Sequence, residues 1–297
     1  MHPLVSVIVA TYKRDDILLR ALTSLATQTY ENFEIILVDD NANADWNSRV
    51  SGVVESFKSD YPEITLKYIV NETNQGSAKT RNIGINASSG EFITFLDDDD
   101  IYLPENIQKQ VDNMLKTNAD FGITDLDMFY DDETPCEKRT RDFIKSTKKE
   151  DLIKYHLMHH LAGTDTMIFK KDYLVKIGGF DPIDVGDEFY LMFKAIENGG
   201  KFTYLKGCFV KAYVHKGEGG LSSGDGKIDG ENKLHEFKKK YFEHLTKNER
   251  KYIITRHYSV IAFAELRRKH LPAFFINALK AFFTSPVNCL KILKEHS

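Results

Sequence analysis

The sequence predicts an α/β protein: a mostly parallel sheet with helices on both faces, followed by a helical C-terminal region. Over the first 130 residues, short β-branched apolar runs alternate with stretches of helical spacing. Strands that are apolar on both faces are typical of a parallel sheet buried between helices. From about residue 230 to the end, the apolar spacing is helical throughout.

The predicted elements of the first part follow one another in order. Four apolar runs predict strands: Leu4–Thr11, Phe33–Asp40, Ile64–Val70 and Glu91–Asp98. The stretches between them predict helices over Asp15–Gln28, from about Asp45 to Phe57, after Gly76 and Ser77, and from Pro104 to about Leu115. Proline is tolerated in the first turn of a helix, which supports a helix start at Pro104.

Composition excludes several classes of protein. The chain has 297 residues, of which 42% are hydrophobic, and a formal net charge of −4, which argues against general affinity for nucleic acid. Three cysteines lie far apart without a metal-binding spacing, which favours a reduced, cytoplasmic protein. No apolar run approaches the roughly 18–20 residues that span a bilayer, and Met1 leads almost at once into a strand. Neither a signal peptide nor a membrane span is therefore expected.

Three of the predicted strands end in residues that can bind ligands. The first ends in Thr11–Arg14, the second in Asp39 and Asp40, and the fourth in Asp97–Asp100. Ligands of such sheets bind at the carboxyl ends of the strands, so these residues should converge on one edge. The negative charge concentrated there calls for a cation, and a divalent metal ion with oxygen ligands, Mn²⁺ or Mg²⁺, is the natural candidate. The metal would in turn hold a phosphate.

Five motifs together resemble a known family. VSVIVATYKR, ILVDD, GSAKTRNIGI, GEFITFLDDDDIYLP and IGGFDP occur in the order and spacing of the family 2 inverting glycosyltransferases. The resemblance covers roughly residues 3–220. It implies a GT-A fold and a nucleotide-diphosphate sugar as donor. It also divides the chain into a catalytic domain over 1–228, with nucleotide-sugar binding over about 1–130 and the acceptor side over 131–228, and a helical extension over 229–297.

The resemblance assigns the donor-binding residues. Thr11 and Tyr12 match the turn that lines the nucleotide base, and Arg14 follows in the same turn. Asp39 matches the carboxylate that accepts a hydrogen bond from the base, usually uracil N3–H, which suits a group that can only accept. Arg81 matches an arginine close to the diphosphate.

The resemblance also assigns the metal site. Asp97, Asp98 and Asp99 cover the family's DxD position. Asp99 would bind the metal directly, while Asp97 or Asp98 would reach the ribose or a metal-bound water. Asp100 is either a further member of this site or a charge that stabilises the N-terminus of the helix that follows. His215, within a glycine-rich segment expected to be a flexible loop (Ala212–Lys227), matches a further metal or diphosphate contact.

The catalytic base is expected at the start of a helix that begins near Asp187. Counting back from Lys194 places Glu188 at the family's base position, and Asp187 is the rival. The implied reaction is one displacement: a carboxylate deprotonates an acceptor hydroxyl, which attacks the anomeric carbon and inverts it. The expected enzyme is a hexosyltransferase, using a UDP-sugar and a saccharide or lipid-linked acceptor, in cell-surface polysaccharide synthesis. The alternatives are a sugar nucleotidyltransferase, against which the glycine-free ATYKRDD segment weighs, and a non-catalytic nucleotide-sugar-binding module.

The C-terminal region is basic and amphipathic. From Lys251 to Ser297 the sequence contains eight Lys or Arg residues and two Glu residues, which gives a net charge of +6 in an otherwise acidic chain. Such helices suggest contact with an anionic membrane surface, here on the inner face of the plasma membrane, or with a partner helix. The alternative is a helical subdomain packed on the catalytic core. The oligomeric state is open, with a homodimer as one option.

Overall fold

The computed structural model of the chain describes residues 2–183, 185–215 and 225–295. The chain divides into two compact units. The first comprises Met1–Leu152, Leu161–Ile183 and Asp187–Val214, and the second comprises Ile153–His160, Asp184–Gly186 and His215–Ser297.

Strands and helices alternate through the beginning of the first unit. In chain order they are β1 (Val5–Thr11), α1 (Asp15–Ala26), β2 (Phe33–Asp39), α2 (Ala44–Asp60), β3 (Thr65–Val70), α3 (Ser77–Ala87), β4 (Phe92–Asp97), β5 (Ile101–Tyr102) and α4 (Asn106–Thr117). They are followed by β6 (Phe121–Tyr130), β7 (Pro135–Arg139), α5 (Lys149–His159), β8 (Met167–Lys170), α6 (Lys171–Lys176), α7 (Asp187–Glu197) and β9 (Phe202–Val214). The larger part of α5, from Ile153 onward, belongs to the second unit.

The nine strands of the described residues form one mixed sheet. Eight of them lie in the order β3-β2-β1-β4-β8-β6-β9-β5, and β7 pairs with β6. Strands β3, β2, β1 and β4 are parallel neighbours, whereas β8 is antiparallel to both β4 and β6. The parallel half brings three strand ends to one edge, and that edge is where the candidate site lies.

The parallel half of the sheet is buried on both faces. Val7, Ile8 and Val9 of β1 are each at most 1% exposed. Because successive side chains of a strand point to opposite faces, both faces of β1 are covered. Continuous apolar strands therefore fold here as the sequence pattern indicates, and the predicted fold class is confirmed.

The second unit is helical in its C-terminal part. Its helices are α8 (Asp225–Lys239), α9 (Lys247–Arg267), α10 (Leu271–Thr284) and α11 (Pro286–Glu295), and both α10 and α11 pack against α9. Helix α9 begins at a capping box: Glu249 N donates to Thr246 Oγ1, and Thr246 N donates to a Glu249 carboxylate oxygen. Within the described ranges, none of the helices has the length and apolarity to cross a membrane.

Local boundaries depart from the sequence-based expectation in two places. The helix expected from Pro104 begins at Asn106, because the short strand β5 comes first and pairs with β9. The expected loop Ala212–Lys227 is partly regular, since Ala212–Val214 end β9 and α8 begins at Asp225. Residues 216–224 of that loop lie outside the described residues. The boundary at residue 228 between the catalytic domain and the helical extension stays a prediction.

Candidate active site

The carboxyl ends of β1, β2 and β4 lie side by side. The strand register pairs Thr11 of β1 with Asp39 of β2, and Ala10 of β1 with Asp97 of β4. All three strands run in the same direction, so the residues that follow them share one edge of the sheet, where such folds bind ligands.

Asp39 is fully buried and already accepts three hydrogen bonds. One carboxylate oxygen accepts from Asn41 N at 2.9 Å and from Asn41 Nδ2 at 2.7 Å, and the other accepts from the Tyr68 hydroxyl at 2.7 Å. Burial, reinforced by the bond to Asp39, raises the pKa of Tyr68, so its hydroxyl remains a donor at neutral pH. A carboxylate offers about four acceptor positions, which leaves one for a nucleotide base. The base-binding role of Asp39 stays a prediction.

Asp40 organises the loop that leads into α3. Its two oxygens accept from Asn71 Nδ2, Gln75 N and Gly76 N at 2.7–2.9 Å. Gly76 has a φ of 80°, a backbone conformation that favours glycine. Asp40 thus fixes the start of the helix that carries Arg81.

The turn after β1 is tied to the acidic end of β4. Thr11 Oγ1 donates to Asp98 at 2.7 Å, and Tyr12 N donates to the same oxygen at 3.3 Å. Burial raises the pKa of Asp98 to about 6, although Arg14, whose guanidinium lies 3.8 Å from this carboxylate, opposes the rise. The side chain of Tyr12 is 46% exposed, so its ring is available to a ligand.

Asp99 forms an ion pair with Arg14. Its backbone carbonyl accepts a hydrogen bond from Arg20 Nη2 at 2.8 Å. The Arg20 guanidinium in turn lies 4.0 Å from the centre of the Tyr213 ring, in a cation–π contact. Basic groups from the turn after β1 and from α1 therefore surround this part of the acidic turn.

Arg81 of α3 connects the carboxyl end of β4 with the start of α7. Its Nη2 lies 2.7 Å from Asp97 and its Nη1 lies 2.7 Å from Asp187. Burial works against the charge of Arg81, but the two carboxylates outweigh it and raise the pKa of the guanidinium. Arg81 is therefore a permanent cation held between two acids.

Asp97, Asp100 and Asp165 form a compact acidic group. One carboxylate oxygen from each lies within 4.8 Å of the others. Among the residues that the structure describes, this is the only group of three His, Cys, Asp or Glu side chains that could hold a metal ion. Asp165 Oδ1 also accepts from Asp97 N at 2.6 Å. Burial, together with the neighbouring carboxylates, raises the pKa of Asp100 well above its usual range and that of Asp165 to about 7. Three oxygen donors so close together suit a hard divalent cation.

The two acids at the start of α7 differ in their surroundings. Asp187 is 5% exposed, and its carboxylate accepts from Arg81, from Ser77 Oγ at 3.2 Å and from Glu188 N at 3.0 Å. Burial raises the pKa of Asp187 to about 6, against the opposing effect of Arg81. Glu188 is only half-buried, so its carboxylate is more accessible than that of Asp187.

Nearly all residues singled out from the sequence fall within the first unit. These are Thr11, Tyr12, Arg14, Asp39, Arg81, Asp97, Asp98, Asp99, Asp187 and Glu188. His215 follows β9 and belongs to the second unit, so its role as a ligand stays a prediction, as does that of Asp99.

Sequence reasoning gave no role to Asp165. It lies in the segment AGTDTMIF just before β8, 68 residues after Asp97 along the chain. The one available signal was an acidic residue that interrupts a run of small and apolar residues before a strand.

Comparison with known proteins identifies relatives of the chain. The model of the family described as glycosyl transferase family 2 matches residues 6–174, more than half of the chain. The chain is 33% identical over 175 residues to the GalNAc(5)-diNAcBac-PP-undecaprenol β-1,3-glucosyltransferase of Campylobacter jejuni, a match that covers 58% of this chain and 53% of that one. It is 31% identical over 118 residues to the UDP-Glc:α-D-GlcNAc-diphosphoundecaprenol β-1,3-glucosyltransferase WfgD of Escherichia coli, covering 40% and 44%. The match thus spans about half the length of each of these relatives.

Solved structures share the fold. Residues 1–349 of TarS from S. aureus in complex with UDP-GlcNAc match with a TM-score of 0.59 and 18% identity, over 94% of this chain and 91% of that one. The mannosyltransferase PcManGT from Pyrobaculum calidifontis, in complex with GDP-Man and Mn²⁺, matches with a TM-score of 0.57 and 16% identity, over 100% and 77%.

Proposed function

Because the chain belongs to glycosyl transferase family 2, we propose that it is an inverting hexosyltransferase that moves a sugar from a UDP-sugar to a hydroxyl of a lipid-linked saccharide. One observation supports this above the others: Arg81 joins Asp97, on the donor edge of the sheet, to Asp187, at the start of the helix that holds the candidate base. Donor-side and acceptor-side groups are thereby held in one arrangement.

The nucleotide would bind along the ends of β1 and β2. Tyr12 offers an exposed ring to the base, and Asp39 offers its remaining acceptor position to a ring N–H. A uracil base supplies that N–H. The UDP-Glc in the name of WfgD and the UDP-GlcNAc bound to TarS favour a UDP-sugar as donor here.

A divalent cation, Mn²⁺ or Mg²⁺, fits the acidic group at the end of β4. Asp97, Asp100 and Asp165 would hold it. Asp99, whose family position is that of a direct ligand, is paired with Arg14 and would have to exchange that partner to join them. When bound, the cation would neutralise charge on the diphosphate of the donor. The Mn²⁺ bound to PcManGT favours the same metal chemistry in this chain.

We assign the role of base to Glu188 rather than to Asp187. The Asp187 carboxylate is buried and occupied by Arg81, Ser77 and Glu188 N. It therefore holds α3 and α7 together and orients the residue that follows it. Glu188 is adjacent, more accessible, and able to take a proton from an acceptor hydroxyl. The hydroxyl oxygen then attacks the anomeric carbon as the bond to the diphosphate breaks, so a single displacement inverts that carbon.

The acceptor class is proposed from the two β-1,3-glucosyltransferases. Both names specify a saccharide joined through a diphosphate to undecaprenol. A lipid-linked saccharide would place this enzyme in the synthesis of a cell-surface polysaccharide. Its cytoplasmic location, at the inner face of the plasma membrane, stays a prediction, and so does a homodimer.

A transfer assay tests the proposed function. The full chain would be incubated with Mn²⁺, a panel of UDP-hexoses and GDP-mannose, and undecaprenyl-diphosphate saccharides, with products identified by mass spectrometry. NMR would then give the anomeric configuration of the new linkage. We expect a β-linked product from an α-linked UDP-sugar. A product that retains the donor configuration would exclude the single displacement. Tight donor binding without transfer to any acceptor or to water would favour a binding module instead.

A further inference from the structure

Helices α10 and α11 expose an unusual amount of apolar surface. We call this surface the apolar face; its side chains are 46–79% exposed and comprise Leu271, Phe275, Ile276, Leu279, Phe282, Phe283, Val287, Leu290 and Leu293. Phe283 is the most exposed of them, at 79%. Such a concentration within 23 residues of sequence is far from the scattered exposed apolar side chains of an ordinary protein surface.

The apolar face follows the helical period. In α10, Phe275, Leu279 and Phe283 are spaced by four residues, and in α11, Val287, Leu290 and Leu293 are spaced by three. Residues at these spacings lie on one side of a helix. The other side of α10 includes the buried Ala281, and both helices pack on α9. The usual arrangement is thereby inverted, since the outward side of these helices is the apolar one.

The charges around the apolar face have one sign. No acidic residue occurs between Glu265 and Glu295, whereas this stretch contains six basic residues: Arg267, Arg268, Lys269, Lys280, Lys291 and Lys294. Lys280 and Lys291 are exposed. Their ammonium groups lie 5.4 Å and 5.2 Å from the ring centres of Tyr258 and Tyr252, both on α9.

An open groove of about 410 Å³ combines both properties. It is lined by Tyr258, Leu279, Lys280, Phe283 and Thr284. An apolar wall beside an ammonium group matches the boundary between the acyl chains and the phosphate groups of a lipid layer.

We propose that the apolar face docks on a bilayer that contains anionic phospholipid, with Phe275, Leu279 and Phe283 entering the acyl boundary and Lys280 and Lys291 meeting lipid phosphates. Apolar insertion combined with basic side chains is the pattern of helices that lie in the plane of a membrane interface. A second copy of the chain fits less well, because a self-complementary interface would place the same positive charges against one another. Docking deepens the proposed function, because a lipid-linked acceptor would lie at the bilayer surface. The docking itself does not depend on sugar transfer.

Vesicle binding by the full chain tests the docking. The partition coefficient would be measured by co-sedimentation with phosphatidylcholine vesicles and with vesicles containing phosphatidylglycerol. We expect binding to the anionic vesicles that weakens as salt is raised. The variant F275Q/F283Q removes two exposed aromatic side chains and should bind at least tenfold more weakly, as burial of apolar area is lost. The variant L115Q/V175Q, which changes two half-exposed apolar side chains in the first unit, should bind like the wild type.

The electrostatic part has its own matched pair of variants. Neutralisation in K280Q/K291Q should reduce binding to anionic vesicles by about fivefold for each lysine, which corresponds to about 1 kcal/mol per basic residue. The control K116Q removes an exposed lysine from α4 and should change nothing.

Three outcomes would overturn the docking proposal. The first is that F275Q/F283Q binds vesicles as well as the wild type does. The second is that the wild type binds neutral and anionic vesicles equally. The third is that the wild type binds no vesicles but self-associates, and that F275Q/F283Q abolishes this self-association. Transfer to a water-soluble acceptor reports on the proposed function separately. We expect F275Q/F283Q to keep that activity, which would also show that the variant folds.

Discussion

Arg81 and Asp187 lie 106 residues apart in the chain, yet the Arg81 Nη1 donates a 2.7 Å hydrogen bond to the Asp187 carboxylate in a buried position. The other terminal nitrogen of the same guanidinium reaches Asp97 at 2.7 Å. A planar fork with fixed charge can hold two carboxylates at a set distance from each other. This bridge fixes α7, and with it Glu188, relative to the end of β4.

Removal of the bridge should lower the stability of the fold. In Arg81→Met the buried Asp187 and the half-buried Asp97 lose their cation, so we expect a loss of about 3–5 kcal/mol in the free energy of unfolding. Urea denaturation measures it. Arg139→Met, which removes an exposed arginine paired with Glu137, is the matched control and should cost at most about 1 kcal/mol. Similar losses for the two variants would show that the bridge does not stabilise the fold.

Asp165 should contribute to metal binding. If it completes the acidic group with Asp97 and Asp100, Asp165→Asn should weaken Mn²⁺ binding by about 10–100-fold, because an amide replaces a charged ligand or a group that orients one. Titration of Mn²⁺ followed by electron paramagnetic resonance gives the affinity without any assay of turnover. Asp112→Asn, on the exposed side of α4, is the control. An unchanged Mn²⁺ affinity in Asp165→Asn would remove this residue from the metal site.

Asp39 should select the nucleotide base. Uracil presents an N–H at ring position 3, whereas cytosine presents an acceptor there, and a carboxylate can only accept. Asp39→Asn offers an amide that can face either base. We therefore expect the preference for UDP over CDP to fall at least tenfold, as measured by calorimetry with both nucleotides. Asp16→Asn, an exposed change in α1, should keep the preference. An undiminished preference in Asp39→Asn would place the base elsewhere.

Acid should destabilise the second unit through two histidines. Burial, together with nearby positive charge, lowers the pKa of His159 and of His235 from 6.5 to about 4. His235 stacks on His257 at 4.0 Å between ring centres. Because the folded pKa values lie below the unfolded ones, the unfolded chain binds more protons between pH 6.5 and 4. The stability that these two neutral histidines contribute is therefore present above pH 6.5 and is lost as pH falls through this window.

The proton uptake can be counted. Each of the two histidines should contribute close to one proton to the slope of unfolding free energy against pH near pH 5. The buried Asp98, Asp165 and Asp187, whose folded pKa values are raised, contribute with the opposite sign, so the comparison between variants isolates the histidine contribution. Urea denaturation at a series of pH values gives that slope. His235→Gln should lower it by about one proton, while His244→Gln, an exposed histidine, should leave it unchanged. Equal slopes for wild type and His235→Gln would mean that His235 titrates normally in the folded chain.

The sequence was most informative where local pattern decides the structure. The strands that end at Thr11, Asp39 and Asp97 could be predicted because each is a continuous apolar run, and parallel pairing then places their ends together. The bridge between Arg81 and Asp187 and the approach of Asp165 to Asp97 could not be derived. They depend on contacts across 106 and 68 residues of sequence, respectively, which no local periodicity encodes.

The outward apolar side of α10 shows a different limit. The periodicity correctly indicated an amphipathic helix, but a helical pattern does not say which side faces a neighbour. The sequence alone does not distinguish Phe274 from Phe275 and Phe283. In the structure Phe274 is only half-exposed, whereas Phe275 and Phe283 face solvent. Only the packing of α10 on α9 distinguishes Phe274 from Phe275 and Phe283.

The most direct measurement of the proposed chemistry compares Glu188→Gln with Asp187→Asn in single-turnover sugar transfer, alongside UDP-sugar binding by calorimetry. We expect Glu188→Gln to bind the donor like the wild type and to lose transfer by a factor on the order of 10²–10⁴, because the acceptor hydroxyl no longer has a base. Glu188→Asp should recover part of the rate. Transfer at the wild-type rate by Glu188→Gln, with donor binding intact, would contradict the assignment of Glu188 and of the mechanism built on it.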